Sequence, residues 1–308
     1  MYTSEEISFR SEEQILVGTL YKPITTYPYR VVVILHAANL GERNDRYYDH
    51  LKDLFTSNGI GVFLYDRRGT GDSTGNFNTA RFEDLAMDAL SAIAILDERD
   101  DVGSIGLCGI SQGGWIASLA TSLTSQVSFL IMVSTPGVSP SEQMLYASSI
   151  SMKEAGFPKE IVEEARSVKK MVDEYFREKV EREGVQAVLQ QKVKEAWYPY
   201  AYLPPKGCLP RNKKNSKWYY ELDYNPIKCF KTVNIPLLFI FADKDIYVPV
   251  DDSIGPLTQA TFSNKDVLFL TIKNTDHFMY DTELKGEIIS KEYVTNLINW
   301  VDRFRESE

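Results

Sequence analysis

The segment Gly109-Ile110-Ser111-Gln112-Gly113 sets a serine among glycines, directly after an apolar run at 104–108 and ahead of a helical pattern at 115–123. A sharp strand-to-helix turn forces its central residue into strained backbone, and only small neighbours fit around it. Such a turn lifts the Ser111 hydroxyl above the strand ends, where a helix N-terminus favours negative charge. The chemistry is nucleophilic attack; a glycine turn with an idle serine is the alternative. A serine needs a base. His277, in the polar loop 273–278 behind the apolar run 267–272, is the only histidine in the C-terminal half and the candidate base. The base needs a carboxylate to hold its tautomer. Asp245, behind the run 236–242, is the candidate, with Asp243 its rival. A tetrahedral intermediate needs two donors for its oxyanion. The backbone N–H of Gln112 would be one. The other falls in the loop after the run 31–35, at Ala38 with Ala37 as alternative. His36 is expected to fix that loop by hydrogen bonding, and His50 to pack or face solvent.

These residues need a scaffold. Alternation at Ile7 and Phe9 and again at Ile15, Val17, Thr19 and Tyr21 predicts two antiparallel strands joined near 11–13. The runs 31–35, 61–65, 105–109 and 129–134 are apolar without alternation, as in strands buried on both faces of a parallel sheet. Helical patterns lie between them at 46–58 and 82–96, and the alternation resumes at 236–242 and 267–272 with a last helix near 291–305. The expected fold is α/β, with a mostly parallel central sheet and helices on both faces. No parallel strand is legible from 138 to 233. Residues 1–137 and 234–308 are therefore expected to form one core domain, and 138–233 an inserted helical cap. The cap's longest helix is expected at 159–183, with Val172, Phe176 and Val180 on its apolar face and Asp173 turned away. A shorter helix follows near 185–197.

Composition narrows the function. The 308 residues carry a formal net charge of −9, which disfavours general binding to nucleic acid or anionic membrane. Hydrophobic residues at 44% and charged residues at 25% are ordinary for a globular chain. Cys108, Cys208 and Cys229 are too few and too scattered for a disulfide framework, and the acidic N-terminus does not read as a signal peptide. A cytoplasmic protein is expected. Three histidines without a His-Glu-x-x-His pattern argue against a dedicated metal site.

Taken together these motifs resemble the α/β-hydrolase superfamily, across most of the chain outside the cap. The order Ser111, Asp245, His277 is the order of that superfamily's triad. The stretch Asp66-Arg67-Arg68-Gly69-Thr70-Gly71-Asp72-Ser73 looks like its Asp-x-Arg-Gly-x-Gly-x-Ser loop, and Asp245-Ile246-Tyr247-Val248-Pro249 like its Asp-x-x-Val-Pro. The branch most resembled holds esterase D-like carboxylesterases and serine-aminopeptidase-like enzymes. His36-Ala37 departs from the usual His-Gly, and Ala242 stands where Gly is common. The resemblance implies a serine hydrolase acting on small-molecule carboxylic esters, with no cofactor and no metal. Acyl-coenzyme A thioesters are a second substrate class, for which Arg211, Lys213, Lys214 and Lys217 would be a basic patch. Aminopeptidase activity is a third possibility, and a non-catalytic binding protein of this fold a fourth. Trp197 and Trp218, in the aromatic part of the cap, are the expected substrate-binding residues. The sequence leaves the oligomeric state open.

Overall fold

The computed structural model describes residues 2–25, 28–39 and 41–304. Its sheet has eight strands: β1 (Tyr2–Ser11), β2 (Gln14–Pro23), β3 (Tyr29–Leu35), β4 (Ile60–Tyr65), β5 (Val102–Ile110), β6 (Val127–Val133), β7 (Leu237–Ala242) and β8 (Val267–Ile272). They lie in the order β1-β2-β4-β3-β5-β6-β7-β8. The β1–β2 and β2–β4 pairs are antiparallel, and every later pair is parallel. The N-terminal hairpin therefore extends the parallel sheet at one edge. Its turn passes through Glu12, at φ 51°.

Alternate residues of a strand point to opposite faces, and the core divides accordingly. Val31, Val33 and Leu35 join Phe63, Leu107 and Phe239 in one apolar layer; Val32 and Ile34 join Val62, Ile131 and Ile240 in the other. Helices α2 (Phe82–Asp97) and α3 (Gln112–Thr121) cover the first layer. On the second lie α1 (Asp49–Ser57) and the last helix, Lys291–Asp302, through Leu51, Phe55, Tyr293, Leu297 and Trp300. This is the α/β-hydrolase fold. The run at 267–272 departs from the expected fully buried strand. As β8 it is the sheet edge, and of its residues only Ile272 is buried.

Between β6 and β7 the chain forms α4 (Pro140–Glu154), α5 (Lys159–Phe176), α6 (Arg182–Lys192), α7 (Trp218–Glu221) and α8 (Ile227–Phe230). Val162, Val172, Phe176, Leu189 and Trp197 are among the residues of a separate apolar cluster there. The helix expected over 159–183 is shorter, and the one expected near 185–197 starts earlier, at Arg182. The first stops at Phe176, Glu178 takes a positive φ of 63°, and Val180 is exposed. Asp173 is buried, not turned to solvent, because its carboxylate accepts from Lys169 Nζ and Ser141 Oγ, both at 2.6 Å. After β7 come α9 (Val250–Ala260) and, following β8, α10, the helix Lys291–Asp302 already placed.

Candidate active site

The turn from β5 into α3 is tight. A Cβ on Gly113 would collide with the Leu35 carbonyl oxygen, and one on Gly114 with the Thr135 hydroxyl. Ser111, between them and β5, has φ 53° and ψ −117°. A non-glycine residue in such a conformation is strained by about 1–3 kcal/mol. The neighbouring strands hold it there, since the Ser111 amide donates to the Val133 carbonyl at 2.8 Å.

His277 follows β8 and is 5% exposed. Its Nδ1 lies 2.7 Å from Asp245 Oδ2. The other carboxylate oxygen, Oδ1, accepts from the amides of Tyr247 and Val248 at 2.8 Å each. Asp245 is thus fixed by its own turn and aimed at the imidazole. The carboxylate makes Nδ1 the protonated nitrogen and leaves the lone pair on Nε2. Asp243, the rival, points elsewhere: it accepts from the Thr275 amide at 3.3 Å and lies within 4 Å of Lys244 and Lys273. The Tyr247 ring packs edge-on against the imidazole, 5.1 Å between centroids.

The loop after β3 is held by a residue whose part was not legible in the sequence. Arg67 donates to the carbonyls of Ala37 at 3.1 Å and Ala38 at 3.0 Å. Its guanidinium stacks on Phe77 at 3.5 Å. Asp66, just before Arg67, is buried and accepts from Arg43 and from the Asp72 amide. His36 contacts the Tyr65 carbonyl through Nε2 at 2.6 Å, and burial pushes its pKa down to about 4. It is a neutral structural group, as expected. His50 is likewise lowered to about 4 by burial, with Nδ1 2.6 Å from the Tyr47 carbonyl.

The two expected substrate-binding tryptophans part company. Trp218 lines a cavity of about 500 Å³ together with Asn78, Lys217, Phe176 and Tyr202. Trp197 is 2% exposed and packed inside the apolar cluster of the insertion. It is a packing residue, buried with Val162, Val172, Phe176 and Leu189 in that cluster. The basic patch is also divided: Lys213 lies 5.1 Å from the Tyr175 ring, and Lys217 stands over Phe77. Among the described residues no cluster of ligating side chains fits a metal ion, and no helix is long and apolar enough to cross a membrane.

Residues 26–193, more than half of the chain, match the family model described as serine aminopeptidase, S33. The chain belongs to this family. Its fold is that of the α/β hydrolases. Esterase EstD of Thermotoga maritima is 21% identical over 300 residues; the match covers 93% of the present chain and spans 65% of that relative's length. Among solved structures, the Pyrococcus furiosus esterase aligns with a TM-score of 0.67 at 14% identity, covering 98% of this chain and 91% of its own. A proline iminopeptidase of Mycobacterium smegmatis aligns at 0.62 and 15% identity, covering 97% and 98%. At these identities the structural likenesses speak to the fold.

Proposed function

We propose that Ser111, His277 and Asp245 form a catalytic triad that hydrolyses carboxylic esters of small molecules through an acyl-enzyme. The observation that carries this reading is the 2.7 Å contact between His277 Nδ1 and Asp245 Oδ2, beside a serine in strained backbone at a strand-to-helix turn. Ser111 Oγ attacks the ester carbonyl while His277 Nε2 takes its proton. The tetrahedral oxyanion is held by the amides of Gln112 and Ala38. The C–O bond then breaks, and His277 returns the proton to the departing alcohol. Water attacks the acyl-enzyme by the same route and frees the acid. This sequence needs no cofactor and no metal.

Residues 138–233 act as a cap on this site. Tyr146 of α4 donates to the Asp245 carbonyl at 3.2 Å, Tyr220 lies 3.9 Å from the Arg81 guanidinium, and Lys217 lies 4.1 Å from Phe77. These contacts tie the insertion to loops at the carboxyl ends of the strands, where ligands bind in open α/β sheets. The cavity lined by Trp218 is the candidate acyl or alcohol pocket.

The test is a panel of p-nitrophenyl esters of graded length, acyl-coenzyme A thioesters and aminoacyl anilides, run on the wild type and on Ser111→Ala. Esters should be the best substrates, and the folded variant should lose roughly 10⁴–10⁶ of the rate. Faster turnover of anilides would make the protein an aminopeptidase on the same triad. Wild-type rates in Ser111→Ala would remove the triad.

A further inference from the structure

Behind the loop after β3 lies a cavity of about 20 Å³, lined by Leu35, His36, Tyr65, Arg67, Leu85, Gln112 and Ile116. Three polar atoms of its lining residues have no hydrogen-bond partner among the described residues: His36 Nδ1, Arg67 Nε and Gln112 Oε1. Their residues are 5%, 7% and 9% exposed. Unpartnered buried polar atoms are rare in folded proteins, and three around one small cavity point to a shared ligand.

The donors and acceptors fix what that ligand is. His36 Nε2 faces the Tyr65 carbonyl and must carry the hydrogen. Nδ1 of the neutral ring is therefore an acceptor. Gln112 Oε1 is a second acceptor, and Arg67 Nε is a donor. A group with two hydrogens to give and a lone pair to receive one satisfies all three. Water is such a group; by the same measure it needs at least about 10–15 Å³ and typically makes about three hydrogen bonds when buried.

We propose that this cavity is a binding site for one ordered water, which donates to His36 Nδ1 and Gln112 Oε1, accepts from Arg67 Nε, and thereby joins the two halves of the oxyanion site. Its functional part rests on the triad reading above. Gln112 carries one oxyanion donor on its backbone. Arg67 holds the carbonyls of Ala37 and Ala38, on the loop that carries the other. The water adds a polar link between the two side chains beside the backbone packing of Gly113 on Leu35, so the distance between the two donors responds to it. Gln112 and Arg67 are then positioning residues through their side chains.

A high-resolution crystal structure of the wild type should show one water within about 2.7–3.2 Å of all three atoms. Gln112→Met keeps the backbone donor and the side-chain length but removes the acceptor. Its kcat on the preferred ester should fall between roughly ten- and a hundred-fold with KM nearly unchanged, as for a misplaced reacting group. Affinity for a trifluoromethyl ketone, which forms a tetrahedral oxyanion adduct with Ser111, should fall by the same factor. A wild-type cavity without water density overturns the site. Undiminished kcat in folded Gln112→Met overturns its role. If that variant does not fold, the wild-type crystal still decides the site. If the wild type cleaves no ester, the triad reading fails by itself, because the crystallographic result uses no turnover.

Discussion

The Ser134 hydroxyl donates to the His277 carbonyl at 2.7 Å, joining the end of β6 to the loop that carries the imidazole. The residue before it, Val133, accepts the Ser111 amide. Ser111 and His277 are thus anchored to adjacent residues of one strand end. Ser134 itself is fully buried and sits at φ 48°. Ser134→Ala and Ser134→Gly both delete the hydroxyl, but glycine relaxes the left-handed backbone, which disfavours alanine by about 1–2 kcal/mol. Both variants should lose on the order of ten-fold in kcat with little change in KM. The glycine variant should melt higher than the alanine one. A loss confined to Ser134→Ala would place the effect in backbone strain and not in the bond to His277.

Asp245→Asn should lower kcat by about 10⁴, because an amide beside His277 Nδ1 favours the wrong tautomer. Asp243→Asn keeps an oxygen that can accept from the Thr275 amide and removes only the negative charge within 4 Å of Lys244 and Lys273. It should cost far less. Steady-state rates of the two variants on one short ester decide between them; equal losses would mean that the loop around Thr275 positions His277 as strongly as the carboxylate does.

The separation of Asp245 from Asp243 shows what sequence can and cannot carry here. Both follow β7 within three residues, so spacing alone leaves either at the strand end. The choice is made by a turn in which Tyr247 and Val248 direct their amides to Asp245. Ser111 was legible because glycines at 109, 113 and 114 report the crowding around it. Ser134 was not: a serine at a strand end has no pattern that announces a contact 143 residues away. Arg67 belonged to a legible motif, yet its hold on Ala37 and Ala38 depends on tertiary placement. Trp197 and Trp218 are alike in sequence, and only packing makes one a core residue and the other a cavity wall. Parallel strands were legible because burial on both faces demands unbroken apolar runs. The edge strand β8 has such a run without that burial.

Trp197→Ala should destabilise the insertion, by about 3–5 kcal/mol as for a fully buried aromatic ring. Trp218→Ala should leave stability nearly intact and instead raise KM or shift the preferred chain length, with a smaller effect on kcat for acetate esters. Thermal melts together with a chain-length series separate the two. If Trp218→Ala abolishes turnover of even the smallest ester while folded, the insertion supplies a catalytic group.

His36 should make the protein acid-sensitive. Burial holds its folded pKa at about 4, below the ordinary 6.5. The unfolded chain therefore takes up the proton first as pH falls. The stability that depends on neutral His36 is fully present above 6.5, falls as pH drops toward 4, and levels off below. The full span is on the order of 3 kcal/mol. Gln at this position places an amide nitrogen where Nε2 stands, keeps a donor for the Tyr65 carbonyl and does not titrate. Urea midpoints at intervals from pH 7 to pH 4 should show a shallower slope for His36→Gln than for the wild type. Parallel slopes would mean that His36 is not the group whose protonation is linked to unfolding.

Glu221 should work in the opposite direction. It is buried in α7, its Oε1 has no hydrogen-bond partner among the described residues, and Lys217 and Arg67 lie near it. Burial raises its carboxyl pKa to about 7, against the pull of those two cations. The folded protein therefore binds a proton that the unfolded chain has already released between 4.5 and 7. Stability from the neutral acid is present at pH 4.5 and is lost as pH rises through 7. Glu221→Gln retains a neutral group of the same shape. It should match the wild type near pH 5 and exceed it at pH 8, by no more than about 3 kcal/mol and less to the extent that Lys217 and Arg67 offset the buried charge. Urea midpoints at the two pH values give the comparison directly. A variant less stable than the wild type at pH 8 would mean that the ionised carboxylate is held by Lys217 and Arg67, and that their attraction outweighs its desolvation.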